Sequence, residues 1–586
     1  MINFEEEKKN ALEALSDQYE ILVLENKSLE IPGKHKLSHY WQVKVPVDSI
    51  LFEFDFLNLI VGIPQEFPLV LPKIFLPRNY NGKLLFLPHV DQNRLICTYD
   101  EERSIPNPNK PIQQIQFCLL KAKKILEAGL KEENFEDYKD EFIAYWEQTY
   151  ENEESKVSGV LSFINEELTE GTEISFLVLD NKLGIFDYIL LGNSQNSKKI
   201  QYFLDEWNYK YNESRAFFVG KIDFKKPPFE LKNKDLNKHI RLKERRLQNQ
   251  FFKFLSLNQG SKIVLFDTGL EGTRSIQGLK IGQLPISGNG FRKGKISAKL
   301  AFQSIESQKK ITRLSIIPID SNRLHIRTAG VVNNFRKENR FVIAGLGSIG
   351  SNLMYFLSSF PNPSFNIIDP DSIQTENISR HFLGLNYTGR SKVKALKYFF
   401  QHYNPNIEII SSIGSIITEI ENSPETINKY DLLFVCIGNW NIEKWISDAQ
   451  IEKKIKIPIC FIWVEPYLLG GHALYIHPND NRFKEFFNEN DLFERNIISS
   501  TEYLAGNKLL SLRESGCQSS YRPYSKEKVI MFLSKLFPHL KSWIEEKPTK
   551  SESFTWKGYE EESLKGQIKF EDWVYDFKDE TLISHR

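Results

Sequence analysis

Five cysteines, Cys97, Cys118, Cys436, Cys460 and Cys517, are scattered through 586 residues, and their settings separate thiols that pack from thiols that can react. An odd number without a CxxC pair makes neither a disulfide framework nor a structural zinc site. Cys436 ends the apolar run DLLFVC, Cys460 lies within IPICFIWV, and Cys118 holds an apolar position in the helical pattern IQQIQFCLLKAKKIL, so all three are expected in cores. Cys517 differs: it sits in ESGCQSSYRPYSKEK, polar and rich in small residues, ahead of the helical pattern KVIMFLSKLF. A thiol in such a loop can travel to an electrophile. Cys97 closes the irregular stretch LPHVDQNRLIC, in which His89 precedes it. Thiolates are strong nucleophiles that hold acyl groups as reactive thioesters, so a mobile thiol such as Cys517 could take up an activated acyl group.

An activating centre would have to supply that group. Gly345-Leu-Gly347-Ser-Ile-Gly350 follows the strand pattern FVIA and opens an amphipathic helix. In that setting the first glycine permits a tight turn, the second lets a phosphate approach the backbone, and the third allows close packing, with free N–H groups at the helix start. The next strand ends in Asp369, about 20 residues on, where a carboxylate takes ribose hydroxyls. These features alone suit a nicotinamide-dependent oxidoreductase equally well.

The residues after Asp369 separate the two. Asp369-Pro-Asp371, Glu376-Asn377-Ile-Ser-Arg380-His381 and Gly389-Arg-Ser-Lys392 follow in order. This series resembles the ThiF-like activating enzymes, which include the ubiquitin-activating enzymes. The resemblance implies ATP-dependent adenylation of a carboxylate with Mg2+, in which Arg380 and Lys392 neutralise phosphate charge. It further implies that Asn377 orients a phosphate oxygen or the metal and that Asp369 holds the ribose. Where the family places a metal-binding aspartate after the fourth strand, this chain has Cys436-Ile-Gly438-Asn439, which leaves Asp371 as the nearest carboxylate. Arg327 falls where these enzymes reach an arginine across a dimer, and Cys517 falls at the family's catalytic-cysteine loop. His472, in WVEPYLLGGHALYIHP, reads as a packed strand histidine.

Phe67, Pro68 and Pro72, followed by PHVDQNRLIC, resemble the ubiquitin-conjugating fold. The resemblance implies that Cys97 is a second catalytic cysteine. The asparagine that usually steadies the oxyanion is replaced, with His89 or Asn93 left to substitute. Both signals in one chain resemble the fused bacterial enzymes of antiphage signalling (CBASS) operons. That implies a protein C-terminus as substrate, in particular that of a cGAS-like nucleotidyltransferase, a lysine-bearing acceptor and a homodimer. Competing readings are a sulfur-transfer enzyme of the same superfamily, which needs no Cys97, and a non-catalytic scaffold.

The elements that must position these residues define an α/β multidomain chain. Residues 1–155 read as an α+β ubiquitin-conjugating-like domain, with paired strands in HYWQVKVPV and SILFEFDFLNLIVGI and helices over 111–130 and 134–151. Residues 156–325 mix strands such as ISFLVLD and KIVLFD with a basic helix, as a linker domain or a degenerate adenylation-like one. From 326 to 586, short apolar strands alternate with helices as in a Rossmann-like parallel sheet, and the tail beyond 545 carries no evident chemistry. Lys plus Arg and Asp plus Glu both count 76, so no global field draws the chain to nucleic acid. No apolar run is long enough to span a bilayer, and a cytoplasmic location is expected.

Overall fold

The computed structural model describes residues 3–585 except 25–36, 78–79, 81–83, 85–86, 92, 135–136, 148–156, 165, 193, 225–227, 229–230, 258–260, 270–274, 286–295, 320, 326–337 and 514–519. Cys517 and Arg327 therefore lie outside the described residues. The chain divides into two compact units, Met1–Ile319 and Asp320–Arg586. No described helix is long and apolar enough to cross a membrane.

In the first unit a five-stranded antiparallel sheet runs in chain order through Glu20–Leu24, Leu37–Pro46, Phe56–Pro64, Lys73–Phe75 and Leu95–Ile96. The alternation in YWQVKV places Trp41, Val43 and Val45 on one face opposite Val61, Leu59 and Leu57. Helices Phe4–Ser16 and Pro111–Leu130 cover that face with Leu15, Ile115 and Leu119, and Cys118 is buried among them as expected. One local reading fails: SILF is a helical turn capped by Asp48, whose carboxylate accepts from Ile50 N–H, and the strand begins only at Phe56.

Residues 158–318 form a closed barrel of seven strands among the described residues, in the order Lys262–Asp267, Ile276–Ile281, Thr312–Pro318, Ser158–Ser162, Phe186–Leu190, Glu173–Leu183 and Tyr211–Lys221. It mixes parallel and antiparallel pairs and closes on itself, unlike the open sheet of the second unit. The basic segment is two helices, Asn233–Leu242 and Arg245–Ser256, whose apolar faces bury Leu236, Ile240, Phe251 and Phe254 against the barrel. The helix Asp137–Glu147 also joins this layer. Its Trp146 packs with Phe217 and Phe266 and donates to Leu314 O at 2.9 Å, while Arg313 Nη1 donates to Tyr145 O and Trp146 O at 2.8 and 3.0 Å.

The second unit is an eight-stranded sheet. Five parallel strands lie in the order Glu408–Ser412, Pro363–Ile368, Asn339–Ala344, Leu432–Val435 and Ile459–Val464, followed antiparallel by Gly470–Ile476, Glu552–Lys557 and Thr581–His585. Continuous apolar runs such as FVIA and LLFV suit strands covered on both faces, and Cys460 is fully buried between them. The tail is structural: Phe554 and Trp556 face the core from its strand, with Trp556 fully buried. The strand order reverses between Asn339–Ala344 and Leu432–Val435, and a crevice opens at their C-terminal ends.

Candidate active site

The crevice holds a cleft of about 220 Å³ lined by Gly345, Gly347, Asp369, Asp371, Lys392 and Cys436, with further apolar walls. Gly345 turns the chain with φ +86°, and an added Cβ there would lie 2.7 Å from Cys436 O. At Gly350 an added Cβ would fall 1.9 Å from Gly345 O, so the helix Ser348–Leu357 approaches the turn as only glycine allows. Gly347 caps that helix, and a Cβ on it would meet nothing within 4 Å. This is a cradle with open space at the helix start, and it fits the phosphates of a nucleotide.

Asp369 is buried and organises the turn. Its Oδ2 accepts from Leu346 N–H at 2.6 Å and its Oδ1 from Asp371 N–H at 2.8 Å. The strand ending at Asp369 thus fixes the glycine loop through its side chain. Lys392 arrives because residues 371–373 pair with 389–392: Lys392 N–H donates to Asp371 O at 3.0 Å and Gly389 N–H to Ile373 O at 2.8 Å. Its buried ammonium then lies 2.8 Å from Asp371 Oδ2 and 3.6 Å from Asp369 Oδ1. Five of the predicted residues, Gly345, Gly347, Asp369, Asp371 and Lys392, thus line one cleft.

Asn377 and Arg380 do not line it. Asn377 Oδ1 accepts from Gln374 N–H at 3.0 Å and closes a short helical turn. Arg380 stacks its guanidinium on Tyr524, 4.9 Å from the ring centre, and Nη1 donates to Arg522 O at 3.3 Å. Its carbonyl nevertheless accepts from Ser348 Oγ and Asn352 Nδ2, both at 3.1 Å, which ties this residue to the first turn of the phosphate-facing helix. Magnesium fits less well than the nucleotide. Asp371 is one exposed carboxylate already paired with Lys392, and no cluster of three metal-ligating side chains occurs among the described residues.

Two residues of this site escaped the sequence reading. His381 is buried, donates Nε2–H to Leu346 O and accepts at Nδ1 from Leu383 N–H, both at 3.0 Å; burial drives its pKa down to about 4, so it is a neutral strut of the glycine loop. Glu443, one turn into the helix Trp440–Ile451, is buried and accepts from Gly438 N–H at 2.9 Å. A carboxylate therefore does reach the turn where the expected aspartate is missing, from the helix instead of the loop. Burial raises Glu443 to about 7, against the lowering pull of Gly438 N–H and Arg522. The residue lies five positions from Gly438, and only the i, i+5 geometry of a capped helix start reveals it.

His472 is fully buried, as expected for a strand histidine, with Nε2 2.8 Å from Glu465 Oε1. The same carboxylate accepts from Ile497 N–H at 2.7 Å, Ile498 N–H at 2.9 Å and Tyr503 Oη at 3.1 Å. Cys436 is buried in the cleft wall, and burial raises its thiol far above the ordinary range.

In the first unit Cys97 is exposed at the end of a narrow hairpin, where its N–H donates to His89 O at 2.8 Å. Local desolvation, then the charges of Glu141 and Asp91, push the thiol up to about 11, with Lys73 pulling the other way. His89 does not present a free ring nitrogen. Nδ1 lies 2.7 Å from Glu141 Oε1 and Nε2 3.0 Å from Asp137 Oδ2. Asn93 is likewise turned away, bonded through N–H and Nδ2 to Asp91 at 2.8 and 3.5 Å. Neither expected oxyanion donor is therefore available as the chain stands.

The second unit holds a Rossmann-like α/β sheet with a glycine cradle, and the first an α+β domain carrying an exposed cysteine. Residues 328–501 match the ThiF family and residues 24–155 match the prokaryotic E2 family B, so the chain carries an N-terminal prokaryotic E2 domain and a C-terminal ThiF domain with a Rossmann-like sheet. Among curated proteins it is similar to ubiquitin-like modifier-activating enzyme 5 of Caenorhabditis elegans, 25% identical over 190 residues that cover 29% of this chain and 44% of the relative. It is also similar to the ATP-dependent ubiquitin transferase-like protein Cap2 of Enterobacter hormaechei subsp. hoffmannii (strain UCI 50), 28% identical over 139 residues covering 24% of this chain and 23% of the relative. The chain thus spans less than half the length of either relative. A solved structure of E. coli MccB with MccA-N7isoASN matches at 13% identity over 40% of this chain and 63% of that one, with a TM-score of 0.28.

Proposed function

We propose that the chain activates the C-terminal carboxylate of another protein with ATP, captures the acyl group on Cys517, passes it to Cys97 and transfers it to a lysine amine. The observation that carries this reading is the seating of Lys392 beside a glycine cradle in a chain whose other unit exposes Cys97 on a conjugating-type sheet. Similarity to an activating enzyme and to a ubiquitin transferase-like protein supports the same chemistry.

ATP, when bound, would supply the adenylyl group, with pyrophosphate as the leaving group, that makes a carboxylate susceptible to a thiol. The chain's residues prepare for that. The N–H groups after Gly347 face an anion, and Lys392 adds the positive charge that a developing phosphate anion requires. Asp369 and His381 keep the loop in shape before anything binds. Magnesium is expected only beside the triphosphate at Asp371, and no step is assigned to it. At Cys97 burial and neighbouring carboxylates favour the neutral thiol, so accepting the acyl group requires that its proton be removed as it attacks.

By resemblance to the fused antiphage enzymes, the substrate is the C-terminus of a cGAS-like nucleotidyltransferase, the setting is the cytoplasm, and the enzyme is a homodimer. The test is incubation with ATP, magnesium and candidate C-terminal peptides, followed by non-reducing mass analysis of both cysteines. Cys517→Ala is expected to retain ATP–pyrophosphate exchange and lose every thioester; Cys97→Ala is expected to keep only the Cys517 thioester. A reductant-resistant adduct undiminished in both variants would overturn the relay. Activation with no thioester on Cys97 would favour the sulfur-transfer reading.

A further inference from the structure

The helix Asp137–Glu147 serves two neighbours. Its C-terminal half is built into the barrel through Trp146, Arg313 and the bond from Ser315 Oγ to Glu147 Oε1 at 2.6 Å. Its N-terminal half grips His89. Glu141 and Asp137 take the two ring nitrogens, while His89 N–H donates to Tyr145 Oη at 2.8 Å and to Glu141 Oε2 at 3.1 Å, and Tyr145 Oη itself bonds Glu141. His89 has φ +66°, a backbone state that a side chain disfavours and that this grip helps to hold. Cys97 hangs from the same residue by its own N–H.

Two carboxylates on two ring nitrogens require two N–H donors, and only the imidazolium has them. The hairpin bearing Cys97 is therefore pinned while His89 is charged. We propose that Glu141 and Asp137 are positioning residues for Cys97, a charge clamp through which the barrel domain sets the geometry of acyl transfer to the amine. The inference rests on the reading of Cys97 as a thioester carrier.

The groups facing His89 and its hairpin are Asp137, Glu141 and Tyr145 on the helix, and Asp91, Cys97 and Lys73 on the sheet side. The hydrogen bond and charge of Glu141, then those of Asp137, raise the pKa of His89 above its ordinary value despite desolvation. The clamp's contribution is accordingly complete at pH below the ordinary histidine range. It is lost as pH rises through the raised value.

The experiment uses the full chain. The Cys97 thioester is formed with ATP, magnesium and a donor peptide, and its discharge to free lysine is followed in a single turnover for the wild type and Glu141→Gln across pH 6–9. The ratio of the two rates cancels ionisation of the amine. We expect the wild type to be about tenfold faster at the acidic end, where misplacement of the reacting group is the difference, and the ratio to fall towards one at the alkaline end. Asp137→Asn, at a more exposed position, is expected to shift the profile in the same direction by less. A ratio near one at every pH, or a constant deficit with no pH dependence in both variants, overturns the clamp while leaving the relay intact. Absence of any Cys97 thioester in the wild type overturns both.

Discussion

Lys392 Nζ lies 2.8 Å from Asp371 Oδ2, so the cation at the nucleotide cleft is balanced by a carboxylate on the facing strand end. The pair presets where positive charge stands without leaving it unpaired, and an incoming phosphate would displace the nearer, exposed Asp371 while the buried Asp369 stays 3.6 Å from the ammonium.

Lys392→Met is expected to lower ATP–pyrophosphate exchange by about a hundredfold or more, the scale of losing one charged stabiliser of a transition state. Asp371→Asn should leave the fold intact and shift nucleotide affinity more than it shifts stability. Exchange kinetics and thermal melting, measured together, check both.

Gly350→Ala places a methyl group 1.9 Å from Gly345 O, against backbone that cannot swing aside. The expected outcome is destabilisation of about 1–3 kcal/mol or more together with loss of ATP binding. Gly347→Ala, which meets nothing, should fold normally and lose only nucleotide affinity. Calorimetric titration with ATP distinguishes the two.

Glu443 gives stability a pH dependence of definite sign. Its folded pKa of about 7 exceeds the ordinary carboxylate value of 4.5, so the native state binds the proton more tightly. Stability from this group is full at low pH and falls as pH rises through the window from 4.5 to 7, by about 3 kcal/mol. Glu443→Gln keeps an acceptor for Gly438 N–H and should flatten that segment of the curve. Denaturant titrations at pH 5 and pH 7.5 provide the comparison.

Trp556→Ala empties a fully buried site under the strand Glu552–Lys557. A loss of about 3–5 kcal/mol is expected, measured by chemical unfolding of the full chain. If the tail were a dispensable appendage, the variant would melt like the wild type.

The parallel sheet was legible because its strands are short apolar runs separated by helices; Gly345 and Asp369 followed from spacing along one crossover, whereas Lys392 was singled out only through the family resemblance. The stacking of Arg380 on Tyr524 was not legible because sequence order carries no direction for a guanidinium, and Tyr524 lies far along the chain. Glu443 was hidden because its partner Gly438 offers a backbone N–H, which every residue but proline has. The tail strand escaped because FTWK is brief and its partner Gly470–Ile476 is distant in sequence. The two carboxylates on His89 were not legible, since they come from a helix well beyond it in the chain.

The strands Gly470–Ile476 and Glu552–Lys557 are antiparallel neighbours, so the whole stretch between them, Cys517 included, is topologically the excursion of a single hairpin. Closing such an excursion becomes harder only logarithmically with its length. Much of that excursion is not free chain, however: the helix Lys526–Glu546 within it buries Val529, Phe532, Leu536 and Trp543 in the core beside the sheet. Added length costs little only where it leaves that packed face in place, so the reach of a cysteine carried on this excursion is bounded by the helix behind it.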